Sequence, residues 1–403
     1  MSAKYWWNKH NKVFASDKSW VLYAGETGVF IEITEDERNN IENFIASKED
    51  LNHSLLEKLQ NIEVVSDKTT DDFERIRNYR MLKKQLSSVL TIYVCPENKS
   101  GIIISEEFLD RLVLFCERKN QKIIRFYWNI LDFDKTALLI EKLTKELESK
   151  RIIVYNGIIT NTLGLSEGEL RITKDLRVNN LQFLIHATIF SNKSELIKLL
   201  DKCELIFNFF KTNFYTPVIT ILFEVNDNNI KDIQKLRNYF LQRYGSFFKV
   251  DITKETDLFS CQNKISNEVS DEESFLEILK YDNQLNFYER DYLKKVSSCF
   301  MCSAQKAQTY IVDWYGNMLK CWNDLGQAEK SVFDLKKMKN INPEVEYFYL
   351  TSDSYSNKKC DKCCIKNQCN GGCVHDNKKS CDFTERIENS YKLLKRKQNY
   401  FEI

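Results

Sequence analysis

The chain has 403 residues, with 59 lysines and arginines against 58 aspartates and glutamates, and a formal net charge of +1. That balance excludes the electrostatic footprint of a nucleic-acid or anionic-membrane binder, and no apolar run reaches the ~18 residues of a membrane-spanning helix. The opening from Met1 to His10 lacks the apolar core of a signal peptide, and three prolines and eleven glycines form no low-complexity linker. The expectation is a soluble, cytoplasmic protein whose two or three domains pack together.

Residues 1–85 open with short apolar runs divided by turn residues. Val13–Ser16, Trp20–Ala24 and Val29–Ile33 read as strands, joined at Asp17-Lys18 and Gly25-Glu26. Thr34, with Glu37 three residues on, has the pattern of a capping box and starts a helix to about Ser47. A second helix fits Asp50–Leu59, and Ile62–Val65 adds a strand. Three strands followed by helices predict a small winged-helix-like module, a pattern too common to carry a function by itself.

From 86 to 295 strands alternate with helices. The strands are Val89–Val94, Ile123–Trp128, Ile152–Tyr155, Leu181–Ala187, Val218–Val225 and Phe247–Ile252; helical spacing falls at Glu106–Glu117, Lys135–Leu147, Ser194–Leu200 and Ile230–Tyr244. Each strand is a largely apolar run, as a helix-covered parallel sheet requires. Six βα units predict an α/β fold with an open, partial (β/α)6 barrel. The stretch from Asn156 to Asn180 is ambiguous and has room for one irregular helix.

Residues 296–403 hold nine of the thirteen cysteines. The spacing is Cys299-x2-Cys302, then x13 to Gly316, x4 to Cys321, and later Cys360-x2-Cys363-x5-Cys369-x3-Cys373-x7-Cys381, with Cys364 an extra beside Cys363. Tyr310–Asp313 and Met318–Lys320 read as a hairpin around Tyr315-Gly316, and Phe383–Gln398 as a closing helix. Thiolates at CxxC spacing can face one metal centre from a single turn, which is what soft metals and iron–sulfur clusters select. Without a secretion signal the pattern favours metal over disulfides. Setting Cys364 aside leaves eight thiols, enough for two four-thiolate sites.

This string resembles the SPASM extension of radical S-adenosylmethionine enzymes: a hairpin glycine five residues before a cysteine, then CxxCx5Cx3C and a last cysteine. Cys302-Ser-Ala, the Tyr310–Gly316 hairpin and Cys369-Asn-Gly-Gly-Cys373 fit as well. The resemblance implies two auxiliary [4Fe–4S] clusters. Cys302, Cys321 and Cys373 would hold the first, with Cys299 as the fourth ligand; Cys360, Cys363, Cys369 and Cys381 would hold the second. Two all-thiolate zinc sites would use the same ligands, and spacing does not decide between them. Gly371-Gly372 would either bring backbone N–H groups to cluster sulfurs or form an ordinary loop.

A radical S-adenosylmethionine enzyme also needs a CxxxCxxC loop after its first barrel strand. Here that strand ends Leu90-Thr-Ile-Tyr-Val-Cys95, Pro96 to Gly101 follow, and the next cysteine is Cys116, inside a helix. The glycine-rich segment expected after the second strand is replaced by Phe126 to Asp132. The chain is therefore similar to pseudo-radical-SAM/SPASM proteins of ribosomal-peptide maturation systems. That likeness implies no cleavage of S-adenosylmethionine, and as partners a precursor peptide, an active radical maturase, or both. Related maturases bind a leader peptide by strand addition at a winged-helix module, which here points to the edge around Thr27–Ile33.

Other residues carry less. His10, His53, His186 and His375 have no partner at ligand or dyad spacing, and His186 reads as a core histidine in an apolar strand. Cys203 and Cys261 read as packing. No Walker-type loop, nucleophile elbow or HExxH stretch occurs. The competing readings are an enzyme of unrelated chemistry, an electron carrier and a structural zinc protein.

Overall fold

A computed structural model describes residues 6–7, 11–16, 19–24, 29–47, 50–61, 64–66, 88–96, 105–130, 133–160, 165–212, 215–224, 229–253, 302–352, 360 and 391. The chain divides into two compact units, one of residues 1–85, 283–305 and 350–403, the other of residues 86–282 and 306–349.

The first unit begins with β1 (Trp6–Trp7), β2 (Lys12–Ala15), β3 (Trp20–Tyr23), β4 (Phe30–Ile33), α1 (Glu35–Ser47), α2 (His53–Asn61) and β5 (Val65–Ser66). Strands β2, β3 and β4 form an antiparallel sheet in that order, and β1 pairs with β5. Cross-strand register places Leu22, Ile31 and Ile33 on one face, where they pack with Ile41 and Phe44 of α1 and Leu55 and Leu59 of α2. The opposite face carries Phe14, Tyr23 and Phe30, and Tyr391 covers it. The Tyr391 ring lies 5.9 Å from that of Phe14 and 5.8 Å from that of Phe30, and its hydroxyl donates to Glu32.

Helix α1 starts with the expected capping box: Glu37 N donates to Thr34 Oγ1 at 3.1 Å and Thr34 N to Glu37 Oε2 at 2.8 Å. Helix α2 begins at His53 rather than Asp50, because the Asn52 side chain accepts the Leu55 N–H at 2.8 Å and so acts as its cap. The turns at Asp17-Lys18 and Gly25-Glu26 lie outside the described residues, as does the start of the Ile62–Val65 strand.

The second unit runs β6 (Val89–Val94), α3 (Glu106–Lys119), β7 (Ile123–Ile130), α4 (Phe133–Ser149), β8 (Ile153–Thr160), α5 (Glu167–Asp175), β9 (Val178–Ile185), α6 (Lys193–Lys211), β10 (Val218–Glu224), α7 (Ile230–Tyr244) and β11 (Phe248–Thr253). Strands β6 to β11 pair in parallel in consecutive order. Right-handed crossovers between sequential neighbours put all the helices on one side, which is the arrangement of a partial (β/α)6 barrel. Leu90, Ile92 and Val94, Phe126 and Trp128, and Ile219, Ile221 and Phe223 point to that side and build one core with Leu109, Leu112 and Phe210.

The ambiguous stretch resolves into the end of β8, a short α5 and the start of β9. Helix α5 is capped by Ser166 and Glu169 in a second capping box. Strand β8 matches the start of the expected Ile152–Tyr155 run and continues to Thr160 through polar residues that are buried and bonded. Asn156 accepts from Trp128 Nε1 at 3.1 Å and donates to Thr144 at 2.9 Å. Helix α6 outruns the expected Leu200 end because Cys203, Ile206 and Phe210 continue its buried stripe.

The chain then adds β12 (Thr309–Val312), β13 (Asn317–Leu319), β14 (Phe333–Asp334), β15 (Lys339–Asn340) and α8 (Pro343–Thr351). The β12–β13 hairpin is the one expected around Gly316, and it extends the parallel sheet: β12 pairs in parallel with β6, Thr309 opposite Thr91 and Val312 opposite Val94. At the turn, the Asp313 carboxylate accepts from the backbone of Tyr315 at 3.0 Å and of Asn317 at 2.9 Å. Burial pushes the Asp313 carboxyl above the usual carboxylate range, and these donors oppose that rise. The closing helix over Phe383–Gln398 lies outside the described residues except for Tyr391, which is helical.

Gly316 has φ +87°, and a Cβ there would sit 2.9 Å from the Phe108 ring. Gly316→Ala is expected to lower stability by on the order of 2 kcal/mol, through a strained φ and a displaced ring. Gly168→Ala, where a Cβ meets nothing closer than Ser166 Oγ at 3.7 Å, should instead gain about 0.5–1 kcal/mol. Thermal unfolding of the two variants checks both signs.

Candidate functional site

Because side chains alternate along a strand, the face of the parallel sheet away from the helices collects the other half of each strand. Following the pairing register, Tyr93, Tyr127, Gly157 and Asn180 form one row across it, and Asn129, Gln182, Thr220 and Lys249 lie in the next. The strands are mostly apolar on the helix side, whereas this face mixes polar with apolar residues, Ile159 lying between Asn129 and Gln182. Tyr127 stacks on Tyr93 at 5.0 Å and 16°, and Trp322 meets Tyr93 edge-on at 5.2 Å. The Tyr127 ring crosses Gly157 so closely that a Cβ there would be 2.7 Å from it. This aromatic shelf, flanked by amide side chains, is suited to holding a peptide or another polar ligand with apolar parts.

At the C-terminal end of β6, Cys95 is buried and accepts from Asn129 Nδ2 at 3.5 Å. Cys116 is buried within α3 and packs in the apolar core, and burial holds its thiol well above the ordinary range. No other cysteine lies between Cys95 and Cys203 in the sequence. A cluster held by three thiolates does not fit these residues.

At the ends of β9 and β10 the structure corrects the reading of His186. It stands one residue past β9 with its side chain 62% exposed, and its Nε2 lies 3.2 Å from Glu224 Oε2. The Thr188 backbone N–H points at His186 Nδ1 at 3.3 Å; a backbone N–H can only donate, so the ring proton sits on Nε2 and faces Glu224. Glu224 Oε2 also accepts the Ala187 N–H at 2.8 Å. With both ring nitrogens engaged, the pair locks the chain where it leaves the sheet instead of offering a free base. The sequence hid it because its two members are far apart in the chain and lie at neighbouring strand ends.

Of the eight expected ligands, Cys302 and Cys360 fall in the first unit and Cys321 in the second, none of them in a disulfide. Cys299, Cys363, Cys369, Cys373 and Cys381 lie outside the described residues. Cys302 is exposed, Cys321 half-buried and Cys360 buried. Their chemistry suits a soft metal or an iron–sulfur cluster.

Cys321 is the best-defined of the three. The residue before it, Lys320, is fully buried and donates from Nζ to the carbonyls of Lys306 at 2.6 Å and Thr309 at 2.7 Å. Its ammonium also lies 4.6 Å from the Tyr310 ring centre. After Cys321 comes a single 3-10 turn, Trp322–Asp324. Tyr349 of α8 reaches this turn, donating its hydroxyl to Asp324 Oδ2 at 2.6 Å. Burial first, then Asp324 and Cys321, hold the Tyr349 phenol far above its ordinary pKa.

Among solved structures, the chain is similar to native anSMEcpe with bound AdoMet, at a TM-score of 0.54 and 16% identity over 76% of this chain and 98% of that one. It is similar also to native anSMEcpe with bound AdoMet and Cp18Cys peptide, at 0.52 and 17% over 77% and 99%. The chain shares that fold. Streptococcus suis SuiB bound to S-adenosylmethionine covers 92% of this chain and 95% of its own at a TM-score of 0.37 and 13% identity. No family model and no curated protein matches the chain. No helix among the described residues is long and apolar enough to cross a membrane.

Lys320→Met keeps the stem but removes the ammonium and strands buried carbonyls. It is expected to cost about 2–4 kcal/mol, read as a lower urea midpoint with an unchanged m-value.

Proposed function

We propose that the chain is a catalytically altered radical-SAM/SPASM protein that carries two auxiliary [4Fe–4S] clusters and serves as a partner or peptide-binding factor in modifying a ribosomal precursor peptide. One asymmetry carries the reading: seven cysteines and Gly316 keep the SPASM spacing, while the end of β6 offers Cys95 alone. The burial of Cys95 against Asn129, and of Cys116 in the apolar core, supports the loss of the cofactor-cleaving cluster. The shared fold with anSMEcpe supports the barrel reading.

In this account residues 1–85 are a recognition module, 86–295 the altered barrel and 296–403 the cluster domain. Cys299, Cys302, Cys321 and Cys373 hold one cluster; Cys360, Cys363, Cys369 and Cys381 hold the other. The clusters supply cross-links that stabilise the fold and, if reduced, one-electron transfer. Among the described residues β4 pairs only with β3. Its sheet is covered by the helices on one face and by Tyr391 on the other, so its outer edge is the surface for strand addition by a peptide. The structure of anSMEcpe with bound Cp18Cys peptide and the polar and aromatic side chains of the strand face here support peptide binding in the barrel as well.

Full-length protein, purified without oxygen and given S-adenosylmethionine and reductant, is expected to release no 5′-deoxyadenosine. Catalytic release would overturn the altered-core reading. Fluorescence anisotropy with the labelled cognate precursor, and with the active maturase of the same system, is expected to show saturable binding to at least one. Binding to neither removes the partner role.

A further inference from the structure

Among the described residues, two of the buried side-chain oxygens that have no hydrogen-bond partner lie in strands: Asn129 Oδ1 of β7 and Asn180 Oδ1 of β9. Both are on the sheet face turned away from the helices. Tyr127 stands between them, since register puts Asn180 beyond Gly157 in the Tyr127 row and Asn129 two residues further along β7. Asn129 is only 2% exposed, and its Nδ2 is committed to Cys95 Sγ at 3.5 Å. Turning the amide over would leave Nδ2 unmet in place of Oδ1. A buried amide with an unmet atom destabilises a fold unless a further group meets it.

The surroundings define that group. Tyr93, Gly157, Ile159, Gln182 and Thr220 carry no charge, and Lys249, the charged member of these rows, is exposed on the outermost strand β11. An anion therefore has no buried counter-charge in these rows, and a cation has no carboxylate. A neutral ligand with N–H donors and an apolar part fits, and a peptide main chain with an apolar side chain supplies both. Strand spacing and rise put Asn129 and Asn180 roughly 12 Å apart, which three or four residues of extended chain span. We propose that this face binds an extended, uncharged stretch of the peptide substrate, with Asn129 and Asn180 accepting its backbone N–H groups and an apolar side chain resting on Tyr127. The inference rests on the reading of the barrel as peptide-binding and names what it selects. A charged side chain laid against these rows would be buried without a partner, so charged stretches are rejected.

The test is fluorescence anisotropy on the full chain, purified without oxygen, with the labelled cognate precursor and with short end-blocked peptides that tile it. An uncharged tile is expected to bind saturably and charged tiles not to. Asn129→Leu and Asn180→Leu should each weaken the precursor and that tile by about tenfold. Asn129→Leu should at the same time keep or raise the urea midpoint, because it removes an unmet buried atom. Asn208→Leu, exposed on α6, should change neither reading. Precursor that binds while no uncharged tile does, or whose affinity is unchanged in both variants, overturns this inference and leaves the peptide reading intact. A lower urea midpoint for Asn129→Leu with unchanged affinity marks a structural amide and overturns it too. Should Asn129→Leu fail to fold, N-methylation of the bound tile at each residue in turn reads the same bonds in the wild type, and affinity lost at no position overturns the inference. Precursor that does not bind the wild type overturns the peptide reading itself.

Discussion

The backbone ladder between β6 and β12 is the constraint on which the second unit depends. It joins residues 309–312 to residues 91–94 and is continued by Thr91 N to Gln308 O at 2.8 Å and Cys95 N to Val312 O at 2.9 Å. Closing a loop of this length costs on the order of 5 kcal/mol. The offset comes from burial. All four residues of β12 are buried, and Phe115 of α3 packs between Tyr310 at 5.5 Å and Phe333 at 4.9 Å. Each buried aromatic contributes about 2–3 kcal/mol, so this set outweighs the closure term. The same ladder fixes where the cysteine hairpin leaves the sheet, and so sets Trp322, the residue after Cys321, against Tyr93.

From that placement the chemistry of the site follows. Helices cover one side of the parallel sheet, so the polar and aromatic halves of its strands are left for a ligand. Cys321 meets that region through a turn whose neighbours are fixed: Lys320 by buried carbonyls, Trp322 by the tyrosine stack, and Asp324 by Tyr349. In the first unit both faces of the small sheet are covered, which leaves an edge.

Much of this was legible in the sequence where a pattern and its physical cause coincide. Val89–Val94 and Ile230–Tyr244 keep their expected bounds because their apolar spacing matches the face they bury, and Thr34 with Glu37 makes the capping box it spells. The cysteines proposed as ligands stand out by spacing alone. Features made by distant pairs were hidden. Asn156 looks like a loop residue until Trp128 and Thr144 satisfy it, and His186 looks like core until Glu224 is beside it. Tyr349 is one of 19 tyrosines until α8 brings its hydroxyl to Asp324. The hairpin was visible, but its pairing with β6 was not, because no local residue records a partner more than two hundred positions away.

The central claim is that the eight cysteines hold two iron–sulfur clusters in a protein whose core has lost the third. Iron, acid-labile sulfide and zinc counted per chain, on full-length protein purified without oxygen, test it most directly. The account predicts about eight iron and eight sulfide with little zinc. About two zinc with no sulfide would make the cysteine region a structural clamp, and about twelve iron would restore the third cluster; either result contradicts the account.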